Sequence, residues 1–524
     1  MDASSTQHLH HKKRWELTKE GTMYAIGIDS GTQGTKALVI DFRGKVRGRG
    51  FAPHRMVPNL KPGESEQDPR VWVEATQKAM AVALAESKVN PKRIVSLGVS
   101  GQQHGFVPLD EKGRPIRPAK LWNDTSTTAE AEDIIAELGG KKRSIRKLGI
   151  SLAVGFTASK ILWLKRKEPQ NYARLKTVLL PHNYLNFWLT GRQVMEHGDA
   201  SGTGLMDIRH RVWHKETLAA IDEALETKLP DLCHPEEPIG MVKKDIAKRY
   251  GMTDVLVSSG GGDNMMGAIG TGNVKPGICT LSLGTSGTVY SYFSKPFVDP
   301  EGEIAAFCDS TGGWLPLLCT MNVTNTTEHF KSLYGLSNQE LEALASRAPA
   351  ASDGLVFLPF IDGERVPVLP LATGVLFGLD RKTFNAAHLA RSIIEGTILN
   401  LGYGFSRMRS LGLHPSQIRA TGGGAKSPLW LQVTADIFKT PVVTLTEQEA
   451  AAYGAALQSI WGYEKAKGQT FRIADIVEER VRTEKPTIEP QPENFAVYSA
   501  IQERFNSLWK TLSSEFKTHR QTAA

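Results

Sequence analysis

Residues 24–41 read YAIGIDSGTQGTKALVID, an apolar run, a turn of Gly, Ser and Thr, and a second apolar run. This pattern predicts two strands joined by a tight hairpin. A turn of that composition exposes backbone N–H groups and hydroxyls together, a nest suited to phosphate oxygens. Residues 278–293, ICTLSLGTSGTVYSYF, repeat the pattern. Gly31-Thr32-Gln33-Gly34-Thr35 in one copy and Gly284-Thr285-Ser286-Gly287-Thr288 in the other each stand between apolar strands. Two copies about 250 residues apart predict two related α/β domains facing each other. So short a match is also what two unrelated hairpins produce.

Lys36 invites comparison with a Walker A loop, but that motif needs Gly before the Lys and Ser or Thr after it; here Thr35 and Ala37 flank it. Asp29 closes an apolar strand, where a carboxylate is costly unless it meets a cation or a hydroxyl. Shaping the turn is the alternative role. Residues 258–270, SSGGGDNMMGAIG, carry the chemically most informative acid. Three glycines suit a backbone that turns sharply or approaches a ligand, and Asp263 follows them beside Asn264. Asp263 is placed to take a proton from a substrate hydroxyl or to cap the helix starting there.

Asp68-Pro69 starts an amphipathic helix to Ser87, with Asp as cap and Pro at the first helical position. The strand from Ile94 to Val99 feeds SGQQHG, residues 100–105, whose amides and imidazole offer donors and acceptors to a polyhydroxylated ligand. Gln103 and His104 are the candidates there. Trp122, in LWNDTST, presents an aromatic face beside polar groups. Residues 155–167 read as one end of a packed helix. Gly272–Gly277 is a turn-rich joint and the expected domain boundary. TGGGA, residues 421–425, precedes a helix capped by Ser427-Pro428 and running through Phe438, a place for a flat ring or a phosphate. Thr446 and Glu449 read as a capping box for the following alanine-rich helix. Near the C-terminus Phe495, Tyr498, Ile501 and Phe505 form an apolar stripe.

Length and composition set limits. A chain of 524 residues, 40% hydrophobic and 23% charged, is expected to divide into two or more domains. No apolar run is long enough to span a bilayer. The net charge of +8 is spread among acids without an aromatic-interleaved basic stripe, which disfavours nucleic acid and suits small anionic ligands. Cys233, Cys279, Cys308 and Cys319 lack CxxC spacing, which points to reduced thiols in the cytoplasm. Residues 1–22 lack the apolar centre of a signal peptide and read as a disordered extension; His8, His10 and His11 belong to that polar tail.

Taken together these motifs resemble the FGGY family of carbohydrate kinases over nearly all of Met23 to about Gly462. GIDSGTQGTK is similar to the family's first phosphate loop and SGQQHG to the sugar loop of its xylulose-phosphorylating members. GGGDN resembles the catalytic-base loop, SLGTSGT the second phosphate loop and TGGGAKSPLWLQVTAD the adenosine loop. Residues 374–395 also resemble a family signature.

The resemblance implies two ribonuclease H-like (actin-like ATPase) domains flanking a catalytic cleft: residues 23–275 for sugar, and residues 276–524, with the C-terminal helix, for nucleotide. It implies ATP-dependent phosphorylation of D-xylulose to D-xylulose 5-phosphate, with ribulose, glycerol and other polyols as alternative substrates. An actin-like ATPase or sugar-sensing module is the alternative class. Asp263 is then the base, and Asp29 positions Mg2+ and substrate. Gln103, His104, Asn264, Trp122 and Asp263 hold the sugar. Thr32, Gln33, Thr35, Lys36, Thr285, Gly423, Gly424 and Ser427 hold the nucleotide. Relatives suggest a homodimer. The chain departs from the pattern at Ser126, where many family members carry Arg.

Overall fold

The structure is a computed structural model that describes residues 22–523. Apart from residue 22, the expected N-terminal extension and its His8, His10 and His11 lie outside the described residues. The chain falls into two compact units. One holds the described residues up to Val274 together with Phe307–Trp314 and Glu449–Val481. The other holds Lys275–Ala306, Leu315–Gln448 and the described residues from Arg482 onward. The expected division at 275/276 thus differs by one residue from the end of the first long segment. Residues 307–314 and 449–481, expected with the second domain, belong to the first unit.

The first unit is built on β1 (Tyr24–Ser30), β2 (Gly34–Asp41), β3 (Val46–Pro53), β4 (Ile94–Gly101), β5 (Gly240–Met241), β6 (Leu256–Val257) and β7 (Gly261–Gly262). The sheet runs β5-β6-β4-β1-β2-β3, and β7 joins the end of β4. The hairpins β1/β2 and β2/β3 are antiparallel, whereas β4 runs parallel to β1 and to β6. α1 (Pro69–Ser87) starts as expected, with the Asp68 side chain accepting from the Arg70 N–H. Its buried Trp72 and Met80 join Ile26, Ile28, Leu97 and Val99 in the core.

The second sheet has β8 (Ile278–Leu283), β9 (Gly287–Ser291), β10 (Ala305–Cys308), β11 (Trp314–Thr320), β12 (Gln417–Thr421) and β13 (Val442–Val443) in the order β10-β11-β9-β8-β12-β13, and belongs to the second unit except for Phe307, Cys308 and Trp314. Its hairpin β8/β9 is antiparallel and extended by β11, while β12 pairs parallel with β8 and β13 with β12. Strand order and direction therefore repeat those of β3-β2-β1-β4-β6. The two glycine turns seen in the sequence occupy equivalent hairpins of two related α/β sheets. Tyr498, Ile501 and Phe505 of the C-terminal helix Phe495–Ala523 pack against Leu358, Phe360 and Leu399.

The helix Ala450–Ala466 returns to the first unit and packs on β1, β4 and α2 (Asp263–Thr271). Glycines set how closely it can lie. A Cβ on Gly454 would stand 1.8 Å from the Met266 carbonyl oxygen, one on Gly270 1.9 Å from that of Ala450, and one on Gly27 1.9 Å from that of Ala452. Backbone meets backbone here, and no side chain can rotate away to make room. Gly454→Ala is expected to cost about 3 kcal/mol through overpacking, seen as a lower thermal midpoint. Gly374→Ala, whose Cβ would meet nothing nearer than 3.5 Å, should leave the midpoint nearly unchanged.

Candidate functional site

Parallel pairing brings one end of three strands together in the first unit. Asp29 on β1 stands opposite Ser100 on β4 and Lys36 on β2. The Ser100 hydroxyl donates to Asp29 Oδ1 at 2.8 Å. β7 continues the row, with Gly261 opposite Ser100 and Gly262 opposite Gly101, and α2 begins at the next residue, Asp263. The glycines answer to crowding. Gly260 has φ +70°, with a Cβ position 2.3 Å from the Val99 carbonyl oxygen, and a Cβ on Gly262 would press on Gln103 Cγ at 2.6 Å.

Gly262, not Asp263, takes the cap position of α2. Asp263 Oδ1 instead accepts from the Asn264 backbone N–H at 2.8 Å and side-chain amide at 3.0 Å. Asn264 Nδ2 also donates to Gln103 Oε1 at 2.9 Å, while Gln103 Nε2 is buried without a hydrogen-bond partner. Burial, and next the nearby Asp29 charge, push the Asp263 carboxyl up to about 7; the Asn264 donors pull the other way. Burial also raises Asp29, against the pull of Ser100 and Lys36. The site is therefore a partly exposed acid poised near neutrality beside an amide with an unused donor.

His104 adopts a left-handed backbone, φ 62°, and its carbonyl accepts from Lys160 Nζ at 2.9 Å and Thr157 Oγ1 at 3.2 Å. Its ring lies 4.6 Å from that of Phe156 and 5.5 Å from that of Phe307. Trp122 Nε1 donates to Thr32 Oγ1 at 3.1 Å, and Gln67 Nε2 to the Thr32 carbonyl at 2.8 Å. Gln33 is exposed at the hairpin tip. Thr35 is buried, its hydroxyl 2.8 Å from His54 Nε2. Lys36 pairs with Glu449 at 2.5 Å. The expected capping box is absent: Glu449 precedes the helix Ala450–Ala466 without a side-chain cap bond, its carboxylate being drawn to Lys36.

Ser126 lies beside a buried lysine. Buried Lys120 donates to Asp124 Oδ2 at 3.0 Å and Ser126 Oγ at 2.8 Å, stands 3.0 Å from Glu66 Oε1, and lies 4.2 Å from the Trp163 ring centroid. Lys120, Lys160 and the buried pair His182–Asp199, 2.6 Å between Nδ1 and Oδ2, were not legible as site supports. Their partners are remote in sequence, and no local motif marks a buried lysine.

The remaining candidates lie in the second unit. Ser282 pairs with Thr421 across β8/β12, so the turns after the two strands are neighbours. Gly422, φ +87°, presses on Leu283, with a Cβ position 2.6 Å from its carbonyl oxygen. Gly423 is exposed with nothing near its Cβ position, while Gly424 is buried. Ser427 Oγ accepts from the Trp430 N–H at 3.4 Å and caps the helix Pro428–Phe438, as expected. Thr285 is exposed, and its carbonyl accepts from the Val323 N–H.

Two family models match the chain: the N-terminal domain of the FGGY family of carbohydrate kinases over residues 24–270, and its C-terminal domain over 279–463. A xylulose kinase of Haemophilus influenzae is 46% identical over 444 residues, covering 83% of this chain and 90% of the relative. One from Lactococcus lactis subsp. lactis is 32% identical, covering 94% and 97%. The crystal structure of ligand-bound xylulose kinase from Lactobacillus acidophilus superposes with a TM-score of 0.88 at 25% identity, covering 95% of this chain and all of that one (100%).

Because the folded protein favours protonated Asp263, its ionisation destabilises the fold as pH rises from about 4 through about 7. Asp263→Asn should therefore raise the thermal midpoint at pH 8, by the equivalent of about 2 kcal/mol once the partly exposed edge is allowed for. The gain should shrink toward zero as the pH is lowered to about 4.

Proposed function

Since the chain belongs to the FGGY family of carbohydrate kinases, we propose that it transfers the γ-phosphoryl group of ATP to the terminal hydroxyl of D-xylulose, giving D-xylulose 5-phosphate and ADP. The observation that carries this reading is Asp263, an acid raised to about 7 and hydrogen-bonded to an amide that reaches Gln103. The sugar oxygen attacks the γ-phosphorus, the bond from phosphorus to the ADP oxygen breaks, and the hydroxyl proton passes to Asp263. A carboxylate with a near-neutral pKa is ionised often enough to accept that proton and basic enough to hold it.

Gln103 Nε2 supplies an unused donor for the sugar; Asn264, the His104 ring and the Trp122 face complete the sugar's surroundings. Thr32, Gln33, Thr35 and Lys36 form the first phosphate hairpin. In it Gln33 and Lys36 offer the outward groups, while Thr35 supports the turn from below. Thr285 belongs to the second phosphate turn, and Gly423, Gly424 and Ser427 to the adenosine turn. Asp29 suits Mg2+: its carboxylate is burdened by burial and by the Glu449 charge, which a divalent cation offsets. No group of three or more metal-ligating side chains occurs among the described residues. Mg2+ would thus rest on Asp29, phosphate oxygens and water, and supply charge neutralisation at the phosphates. No helix among the described residues is long and apolar enough to cross a membrane. Four free cysteines support work in the cytoplasm, where the protein would act as a homodimer.

Coupled ADP release should rise at least about tenfold when D-xylulose is added, and more than with ribulose, glycerol or other polyols. Equal release with and without sugar would favour an ATPase or a sensor. Asp263→Asn should lower kcat by about 10²- to 10⁴-fold while KM for D-xylulose changes little. In the wild type, kcat/KM should climb about tenfold per pH unit below about 7 and then level off. A near-normal rate for the variant would remove Asp263 as the base.

A further inference from the structure

Glu364 is a carboxylate 3% exposed in the second unit, and no part of the proposed reaction uses it. Its Oε1 accepts from the backbone N–H of Met321 and of Arg365, each at 2.7 Å. Its Oε2 accepts from Asn400 Nδ2 at 3.0 Å and Asn322 Nδ2 at 3.3 Å. Four donors from four residues converge on one buried anion, and charged hydrogen bonds of this kind are the strong ones. Burial nonetheless pushes this carboxyl up to about 7, against the pull of those donors.

What the anion anchors is the short crossing after β11 ends at Thr320 and before α3 (Thr324–Tyr334) begins. Asn322 reinforces the anchor, donating to the Gly363 carbonyl at 2.7 Å and accepting from the Asp362 N–H at 3.2 Å. The same crossing holds the second glycine turn from behind. The Val323 N–H donates to the Thr285 carbonyl at 3.1 Å and the Thr324 N–H to the Gly284 carbonyl at 3.0 Å. Val323 is buried against Gly287, where an added Cβ would stand 2.7 Å from Val323 Cγ2. The Gly284 N–H is taken by the Ser286 carbonyl at 3.1 Å, and with the Gly284 and Thr285 carbonyls also held, the turn's other N–H groups keep one direction, as an anion nest needs. Val323 and Thr324 secure those carbonyls, and Glu364 holds Met321 and Asn322, the two residues that precede them in the crossing.

We propose that Glu364 is a positioning residue for nucleotide, setting the geometry of the Gly284–Thr285 phosphate turn through the Met321–Thr324 crossing. This rests on the reading of that turn as a phosphate site. Glu364→Gln keeps the shape but replaces one acceptor with an NH2 facing the Asn322 and Asn400 donors.

The test measures ADP affinity by titration calorimetry and, separately, KM for ATP and for D-xylulose. For Glu364→Gln the ADP Kd and the ATP KM should rise about tenfold, the scale of one buried charged hydrogen bond, with KM for D-xylulose within about twofold. Asn400→Ala, which removes a single donor, should give a smaller shift of the same sign and serves if the Gln variant does not fold. Glu395→Gln is the matched control, since Glu395 is an equally buried acid bonded instead to Ala351, Ser352, Arg391 and Tyr498; it should leave ADP affinity unchanged. Unchanged ADP affinity in both Glu364→Gln and Asn400→Ala, an equal loss in the Glu395 control, or equal shifts in both KM values would overturn the proposal. A wild-type chain that binds no ADP would overturn the phosphate-turn reading and this proposal together, whereas normal wild-type binding with an unaffected Glu364 variant would overturn this one alone.

Discussion

Two carboxylates at one end of one sheet are the constraint around which the first unit is arranged. Burial raises the cost of ionising both Asp29 and Asp263, and the Asp29 charge adds to the cost at Asp263. The surroundings meet that cost unequally. Asp29 receives the Ser100 hydroxyl and the Lys36 charge, whereas among the described residues Asp263 receives the Asn264 donors. Both carboxyls are raised by burial, and what separates them is their partners: a hydroxyl and a lysine for Asp29, an amide for Asp263.

That arrangement depends on backbone reaching places that side chains would block. β7 can run beside the end of β4 because Gly261 and Gly262 carry no Cβ to strike Ser310 and Gln103. The helix Ala450–Ala466 can lie on β1 and α2 because Gly27, Gly270 and Gly454 admit its carbonyls. Through this packing a segment nearly two hundred residues downstream of α2 in the chain delivers Glu449 to Lys36. The first hairpin is thus braced electrostatically by a residue its own sequence gives no hint of.

The second unit solves a related problem with different means. Its glycine turn sits on β8/β9 by the same hairpin plan as the first, yet it is braced by backbone N–H groups from the crossing into α3, which Glu364 holds at Met321 and Asn322. One topology carries two supports: an ion pair in the first copy and a buried, multiply bonded carboxylate in the second. The repeat is therefore of sheet and turn; the neighbourhoods around the turns are separate solutions.

The amino-acid order alone was enough for the hairpins, because apolar alternation and glycine punctuation act over a few residues. It was enough too for α1 and the helix after Ser427, whose starts are written in Asp68-Pro69 and Ser427-Pro428. The glycine-flanked Asp263 stood out for the same local reason. Tertiary structure alone decided that Gly262 and not Asp263 caps α2, that Thr35 turns inward to His54, and that Glu449 faces Lys36 instead of closing a capping box. It also decided that residues 449–481 return to the first unit, and that Lys120 supplies the cation beside Ser126. These outcomes depend on burial and on charges brought together from distant parts of the chain, and neither has a signature within the span of a motif.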